Sequence, residues 1–397
     1  MRVVGFEPIV CDLGWRTISF LKITTDEGIV GWSEFSEGFG SPGLTGVVGA
    51  LGRHVIGKDP LAIEALTFPL VAAASPARGS LNRQAVGAIE NALLDVKGKA
   101  LGLPVSSLLG GAVRDRIPVY WSHCGTYRVG ERVRSLGLEP LRNFDDVVAL
   151  GKEVRERGFH GLKTNPLGLE DPEVRAVPSS FARGLYANRE WDNRTIVEIE
   201  KALAAFREGA GDDMDIYLDT NFRFDTQGYL RAEQAVRPFH LAWLEMDMHD
   251  PDAVALVRKR GETPIGSGEA VYERHGYRPY FEAQAFDVAI VDVIWNGYLE
   301  SLKIAALAES FSVPVAPHNF YGHLASAMSA HFAAAVTNLH VMEIDVDGAP
   351  WRDEITTAPT FEDGAYVLPT GPGWGVEVNE EAIRAHAPTQ PTSFRQT

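Results

Sequence analysis

From residue 116 onward the sequence settles into a rhythm that few folds accommodate. Eight short β-rich runs follow one another: IPVYWSHC, HGLKTN, DIYLDTN, HLAWLEM, PIGSGE, VAIVDV, PVAPHN and HVMEID. Most are separated by stretches of helical periodicity, such as NRTIVEIEKALAAFREG, YLRAEQAV, DAVALVRKRG and SLKIAALAESF. Parallel strands need a crossover between them, usually a helix. Eight such alternations therefore predict an α/β chain whose strands close into a parallel barrel.

On either side the pattern changes. TISFLKITTDEGIVGWSEF places strand-like runs around DEG, a hairpin signal. QAVGAIENALLDVKGKALG carries apolar residues at helical spacing and ends in glycine. Residues 1–115 are thus expected to form an α+β capping domain and residues 116–349 the barrel. In 350–397 the rhythm is lost, and FEDGAYVLPTGPGWGVEVN reads as an extended return onto the first domain. Residues 166–191 make a long strand-to-helix loop, and loops of that length are usually functional or disordered.

The strand ends carry the chemistry. In a parallel barrel all C-terminal strand ends meet at one face, where barrel enzymes keep their sites. Here they bear Lys163 and Asn165, Asp219 and Asn221, Glu245 and Asp247, Glu269, Asp292, His318 and Asn319, and Glu343. Asp219, Glu245 and Glu269 would stand on three adjacent strands, and three crowded anions repel strongly where the dielectric is low. A hard divalent cation relieves that repulsion, and all-oxygen ligands favour magnesium or manganese over zinc. The plainer alternative is a set of solvated rim carboxylates, some paired with lysines.

Asp292 and His318 fall on neighbouring strands. A carboxylate bonded to imidazole fixes its tautomer and raises its basicity, which makes a general base. A lone buried histidine would more simply be satisfied by its surroundings. Lys163, desolvated beside a metal, could have a lowered pKa and act as base or electrophile; otherwise it is a partner for Glu343 or a metal-site carboxylate. His323 follows His318 by five residues, a spacing that does not make a zinc pair. His123 and Cys124, at the end of the first barrel strand, either line the pocket or pack. GSG at 266–268 lacks the lysine and spacing of a phosphate loop.

Composition narrows the partners. The 397 residues carry a formal net charge of -16 and no basic stripe, so no nucleic-acid partner is expected. Two cysteines, Cys11 and Cys124, give no disulfide framework, and a reducing cytoplasm is the expected compartment. The first residues are broken by Glu7, Pro8 and Asp12 too early for a signal peptide. LASAMSAHFAAAVTNLHVM holds His331 and Asn338 and reads as a buried helix running into a strand, so no membrane span is expected. A symmetric homo-oligomer is the usual state of such chains.

Taken in order, LKTN, YLDTN, WLEMD, GSGEA, IVDVIWNG, VAPHN and VMEID resemble the enolase superfamily, in particular its mandelate racemase-like branch. The resemblance spans nearly the whole chain. It implies a modified (β/α)8-type barrel, of (β/α)7β form, under an α+β cap. It further implies magnesium, or manganese, on Asp219, Glu245 and Glu269, and a proton-handling dyad of Asp292 and His318. Glu343 would hydrogen-bond a substrate carboxylate, and Lys163 would be the first lysine of the family's Lys-x-Lys motif. The use of a lysine or histidine base with magnesium on an enediolate is a general property of that superfamily.

One departure decides the reaction expected. Asn165 stands where the second motif lysine would be, and an amide takes no proton. A racemase with one base on each face of its substrate loses a partner. A one-base elimination needs only His318. The expectation is therefore a lyase, a sugar-acid dehydratase, that takes the α-proton and expels the 3-hydroxyl to give a 2-keto-3-deoxy acid. Asn165, Asn221 and Asn319 are candidate substrate contacts, the last two to orient hydroxyls. The cap loop CDLGWRTIS offers Asp12, Trp15 and Arg16 to the far end of this small carboxylate substrate, and Arg183 or Tyr186 could join from the long loop. The rivals are an epimerase or racemase on the same scaffold and a non-catalytic metal- and metabolite-binding regulator.

Overall fold

The computed structural model describes residues 1–38, 41–77, 79–130, 132–167, 169 and 193–388. The expected hairpin is there, extended by an earlier strand. β1 (Val3–Asp12), β2 (Thr17–Thr25) and β3 (Val30–Phe35) form an antiparallel sheet in that order. Helices α1 (Leu44–Gly52), α2 (Ile63–Ala73) and α3 (Ser80–Leu101) follow. The last lies so close to β3 that a Cβ on Gly31 would stand 2.4 Å from the Ala92 carbonyl oxygen. It stops at Gly102, whose φ of 66° is the left-handed conformation that glycine adopts freely.

The barrel then unrolls in order. β4 (Arg116–Ser122) leads to α4 (Arg132–Leu136) and α5 (Phe144–Glu156). β5 (Gly161–Thr164) leads to α6 (Asn193–Ala210), β6 (Asp215–Asp219) to α7 (Thr226–Val236), and β7 (Trp243–Glu245) to α8 (Pro251–Arg260). β8 (Ile265–Ser267) leads to α9 (Glu273–Glu282), and β9 (Val288–Asp292) to α10 (Val293–Asn296) and α11 (Tyr298–Ser310). β10 (Val315–His318) leads to α12 (His323–Ala335), and β11 (Met342–Asp345) only to the short α13 (Arg352–Ile355). The strands pair in parallel from β10 back to β4, and β4 pairs with β11. Val315 closes the seam by donating to the Asn338 carbonyl at 2.9 Å and accepting from His340 at 2.8 Å. This is the expected α/β barrel, with its eighth strand lacking a long helix. Among the described residues no helix is long and apolar enough to cross a membrane.

The interior is layered. Tyr120, Tyr217, Trp243, Val288, Ile290, Ala316 and Val341 form a buried apolar cluster of their own, with the Tyr217 and Trp243 rings 4.0 Å apart. Side chains alternate along a strand, so the residue two further on faces the same interior, roughly 6–7 Å nearer the C-terminal end. Those positions are Ser122, Asp219, Glu245, Asp292, His318 and Glu343, with Lys163 above Gly161 on β5. Gly161 is small because a Cβ there would meet both Tyr120 and Tyr217 at 3.0 Å. One layer higher stand Asn165, Asp247 and Asp345. An apolar plug below and a polar floor above thus follow from the period of two.

The rest of the chain fastens the cap. β12 (Phe361–Glu362) and β13 (Ala365–Val367) form a hairpin, and β13 pairs antiparallel with the start of β4. The chain then runs to α14 (Glu380–Ala385). Buried Asp95 of α3 accepts from the Trp32 and Trp374 backbone N–H groups at 2.8 and 3.0 Å and from Lys99 at 2.6 Å. Glu34, at the end of β3, accepts from the N–H groups of Gly322 and Ala325 at the start of α12, where a helix favours an anion.

Candidate active site

His318 and Asp292 sit in paired register on β10 and β9, with Nδ1 2.5 Å from Asp292 Oδ2. The same carboxylate accepts from the Tyr321 hydroxyl and the Trp295 N–H, both at 2.7 Å. With three donors aimed at it, Asp292 acts as acceptor, so His318 carries a hydrogen on Nδ1 and turns Nε2 toward Glu269. Nε2 lies 3.2 Å from Glu269 Oε2. Burial would lower the imidazole pKa, but Glu269 and Asp292 outweigh it and raise it to about 10.

Lys163 occupies the opposite side of the floor. Its Nζ is 3.1 Å from both Glu245 carboxylate oxygens, 2.8 Å from Glu343 Oε1 and 3.8 Å from Asp219 Oδ2. The expectation of a lowered lysine pKa is not met. Burial does push it down, yet Glu245 and Glu343 hold it well above the ordinary value. Lys163 is a fixed cation, and its pairing with Glu343 and a metal-site carboxylate is the alternative that the sequence left open.

Glu343 is held among donors. It accepts from Lys163, from the Ser122 hydroxyl and, at 2.8 Å, from the Asn319 N–H. Burial raises its pKa, but Lys163 and His318 bring it down to about 2. In this arrangement Glu343 holds Lys163 in place.

The asparagines hold the floor in place. Asn221, at φ 48°, donates its backbone and side-chain N–H to Asp219 Oδ1 at 2.8 and 3.0 Å. Asn165 donates to the Asp219 carbonyl at 3.1 Å and accepts from the Thr126 hydroxyl at 2.9 Å. Asn319 is fully buried and spends its amide on Ser326 and the Glu343 carbonyl. These amides, the expected substrate contacts, each donate to a neighbouring acceptor, while Asn319 Oδ1 is buried with no partner among the described residues. In the cap loop, Arg16 reaches Asp345 at 3.1 Å under the Trp15 ring, while Asp12 accepts from Gly14 and shapes the turn. His323 instead caps onto Asp353 at 2.7 Å. Arg183 and Tyr186 lie outside the described residues.

Beside Glu269 the floor opens into a cavity of about 720 Å³. Ser41 and Ser80 of the cap line it with Phe222, His249, Tyr272 and Trp295.

Comparison with known proteins places this geometry. Residues 146–382 match the model described as enolase C-terminal domain-like, and residues 10–110 match the N-terminal domain of mandelate racemase and muconate lactonizing enzyme. The chain belongs to the enolase superfamily. It is 30% identical over 381 residues to D-xylonate dehydratase of Haloferax volcanii, covering 94% of this chain and 86% of that one. It is 30% identical to D-galactonate dehydratase of Pectobacterium atrosepticum, covering 92% and 89%. A crystal structure from Burkholderia xenovorans strain LB400, provisionally named an L-alanine-DL-glutamate epimerase and bound to magnesium and fumarate, is 44% identical. It superposes with a TM-score of 0.95 over 98% of this chain and 96% of that one.

Enolase-superfamily enzymes use magnesium, and the donor set can be tested against that ion. Among the described residues no three acidic or imidazole groups close into a ready cage; Lys163 and His318 stand between them. The charge balance nonetheless calls for a cation. Asp219, Glu245, Asp247 and Glu269 are all buried near one another. Burial, with repulsion from Asp219 and other neighbouring carboxylates, raises Glu245 to about 8 and Asp247 to about 7. Asp247 Oδ2 is buried without a hydrogen-bond partner among the described residues. An acceptor left bare among repelling carboxylates fits a hard oxygen-seeking ion. Sequence reading placed Asp247 at a strand end but gave it no role; its period-two spacing from Glu245 was the available signal. Tyr321 and Ser122 were missed altogether, since neither stands out by type or spacing.

Proposed function

We propose that this enolase-superfamily enzyme is a hydro-lyase acting on a sugar acid, removing the α-proton and the 3-hydroxyl to give a 2-keto-3-deoxy acid. The observation that carries the reading is the asymmetry of the floor. One imidazole is tuned by Asp292, and the position two residues beyond Lys163 is a fully engaged amide.

The steps follow from the side chains. A magnesium ion held by Asp219, Glu245 and Glu269 would stabilise the negative charge that grows on the substrate carboxylate. Lys163, kept cationic and aimed by Glu343, adds fixed positive charge at the same place. With a cation neutralising Glu269, whose charge otherwise holds the ring protonated, His318 Nε2 would take the α-proton while Nδ1–H stays bonded to Asp292. The imidazolium then returns that proton to the departing 3-hydroxyl, which leaves as water. The resulting enol becomes the 2-keto-3-deoxy acid. The dehydratase names of relatives at about 30% identity support this reading. The name of the 44% identical structure favours a second one, epimerisation, which would need a second proton carrier that Asn165 does not supply.

Proton NMR in deuterated water, with magnesium and a panel of aldonic and aldaric acids, separates the two. A 2-keto-3-deoxy product supports dehydration. Deuterium at the α-carbon without loss of water overturns it in favour of epimerisation.

A further inference from the structure

Arg16 is a buried cation with most of its hydrogen-bonding capacity unused. Its side chain is 4% exposed, and one NH2 group binds Asp345 Oδ2. Nε and NH1, which carry three N–H bonds between them, are buried with no partner among the described residues. Burying unpaired donors is costly, and more so on a charged group. Nearby carboxylates do not relieve it. Glu34 is taken by the start of α12, Asp345 Oδ2 is shared with the Tyr127 hydroxyl at 3.3 Å, and Asp345 Oδ1, though buried without a partner among the described residues, makes no hydrogen bond to the guanidinium.

The position of this guanidinium is informative. Cζ lies 4.8 Å from the Trp15 ring centroid and 4.8 Å from that of Phe320. The Phe320 ring is in turn 5.0 Å from the ring of His318. Arg16 is therefore one aromatic ring away from the proposed base. Asp345 lies two residues beyond Glu343 on β11, so the contact is one layer, roughly 6–7 Å, nearer the barrel mouth. A second guanidinium, Arg132, sits 4.6 Å over the same indole and makes no ion pair among the described residues. Two arginines thus flank Trp15 at the edge of an otherwise acidic floor. Clamped between rings, a planar guanidinium is preorganised to receive a carboxylate.

We propose that Arg16, backed by Arg132, binds a second carboxylate at the end of the substrate away from the α-carbon. The preferred substrates are then hydroxylated dicarboxylic acids, the aldaric class, rather than aldonic acids. This deepens the dehydratase reading and rests on it for the site's orientation, but it is tested by binding alone.

The test uses full-length His318→Asn protein, which holds ligands without turning them over. Calorimetry in magnesium compares acids that differ only at the far end: galactarate against galactonate, D-glucarate against D-gluconate, tartrate against glycerate. At least one diacid should bind about 10–100-fold more tightly than its partner, the value of a charge-assisted contact. Adding Arg16→Met should erase that preference. Arg132→Met, on a more exposed side chain, should reduce it less, and serves if the first variant does not fold. Equal binding within every pair, tighter binding of the monoacids, or a diacid preference that survives both substitutions would overturn the proposal. Arginine-dependent diacid binding by an enzyme whose wild type releases no water would sink the dehydratase reading while leaving the anion site standing.

Discussion

His318 and Asp292 face each other across two parallel strands in exact register, 2.5 Å apart at Nδ1 and Oδ2. The dyad is thus set by backbone pairing, and Asp292 is locked in turn by Tyr321 and Trp295.

Replacing His318 with Asn should lower turnover by about 10²–10⁴-fold, the range for loss of a general base. Magnesium binding should persist, since the ligand carboxylates remain. Steady-state kinetics and a magnesium titration on the same sample check this. Near-normal turnover would remove the dyad from the mechanism.

Asn165→Ala should behave differently. The substitution loses hydrogen bonds to Thr126 and to the Asp219 carbonyl, worth roughly 1 kcal/mol each, but no proton carrier. Turnover should fall by less than about 10-fold at saturating substrate. A loss as deep as that of the histidine variant would mean that this position takes part in proton transfer, and the one-base scheme would fail.

Magnesium should raise the melting temperature of the wild type, because a ligand that binds only the folded state stabilises it. Glu245→Gln should abolish most of that rise. Asp247→Asn should weaken binding by about 10-fold, in line with groups that support a metal from just outside its ligands. An unchanged magnesium titration in Glu245→Gln would take that residue out of the ligand set.

Acid should expose a buried histidine. His331 accepts from the Ser106 N–H and donates to the Trp374 carbonyl, and burial lowers its pKa from 6.5 to about 4. Between those values the unfolded chain binds a proton that the folded one does not, so its contribution to stability falls as pH drops. The full effect is roughly 3 kcal/mol at about 1.4 kcal/mol per pH unit. In thermal melts, the gap between wild type and His331→Gln should narrow from about pH 7 to about pH 5. A constant gap would show that His331 titrates alike in the folded and unfolded chain, and that burial does not lower its pKa.

The barrel was legible because its strands repeat, and the floor because barrel strands bring their ends together. Period-two spacing alone relates Trp243, Glu245 and Asp247, or Val341, Glu343 and Asp345. What could not be read was who holds whom. Lys163 meets Glu343 across 180 positions of sequence, and Arg16 meets Asp345 across 329. No local pattern encodes such pairs. The same gap hid the partners of the asparagines, whose amides donate to the Asp219 carbonyl, the Asp219 carboxylate and the Glu343 carbonyl. The ionisation of Glu343 was hidden likewise, since it depends on a lysine that only the closed barrel delivers.

Asp95 joins the Trp32 and Trp374 backbones, placing the end of the polypeptide inside the hydrogen bonding of its first sheet. The cap is therefore not an interchangeable module. A chimera that grafts another member's residues 1–115 onto this barrel would also have to import the matching tail. Otherwise Trp374 would lose its acceptor, and the loop that carries Arg16 would be presented at the wrong height. That loop is itself tied to the C-terminal return, the Asp12 N–H donating to the His386 carbonyl at 2.8 Å.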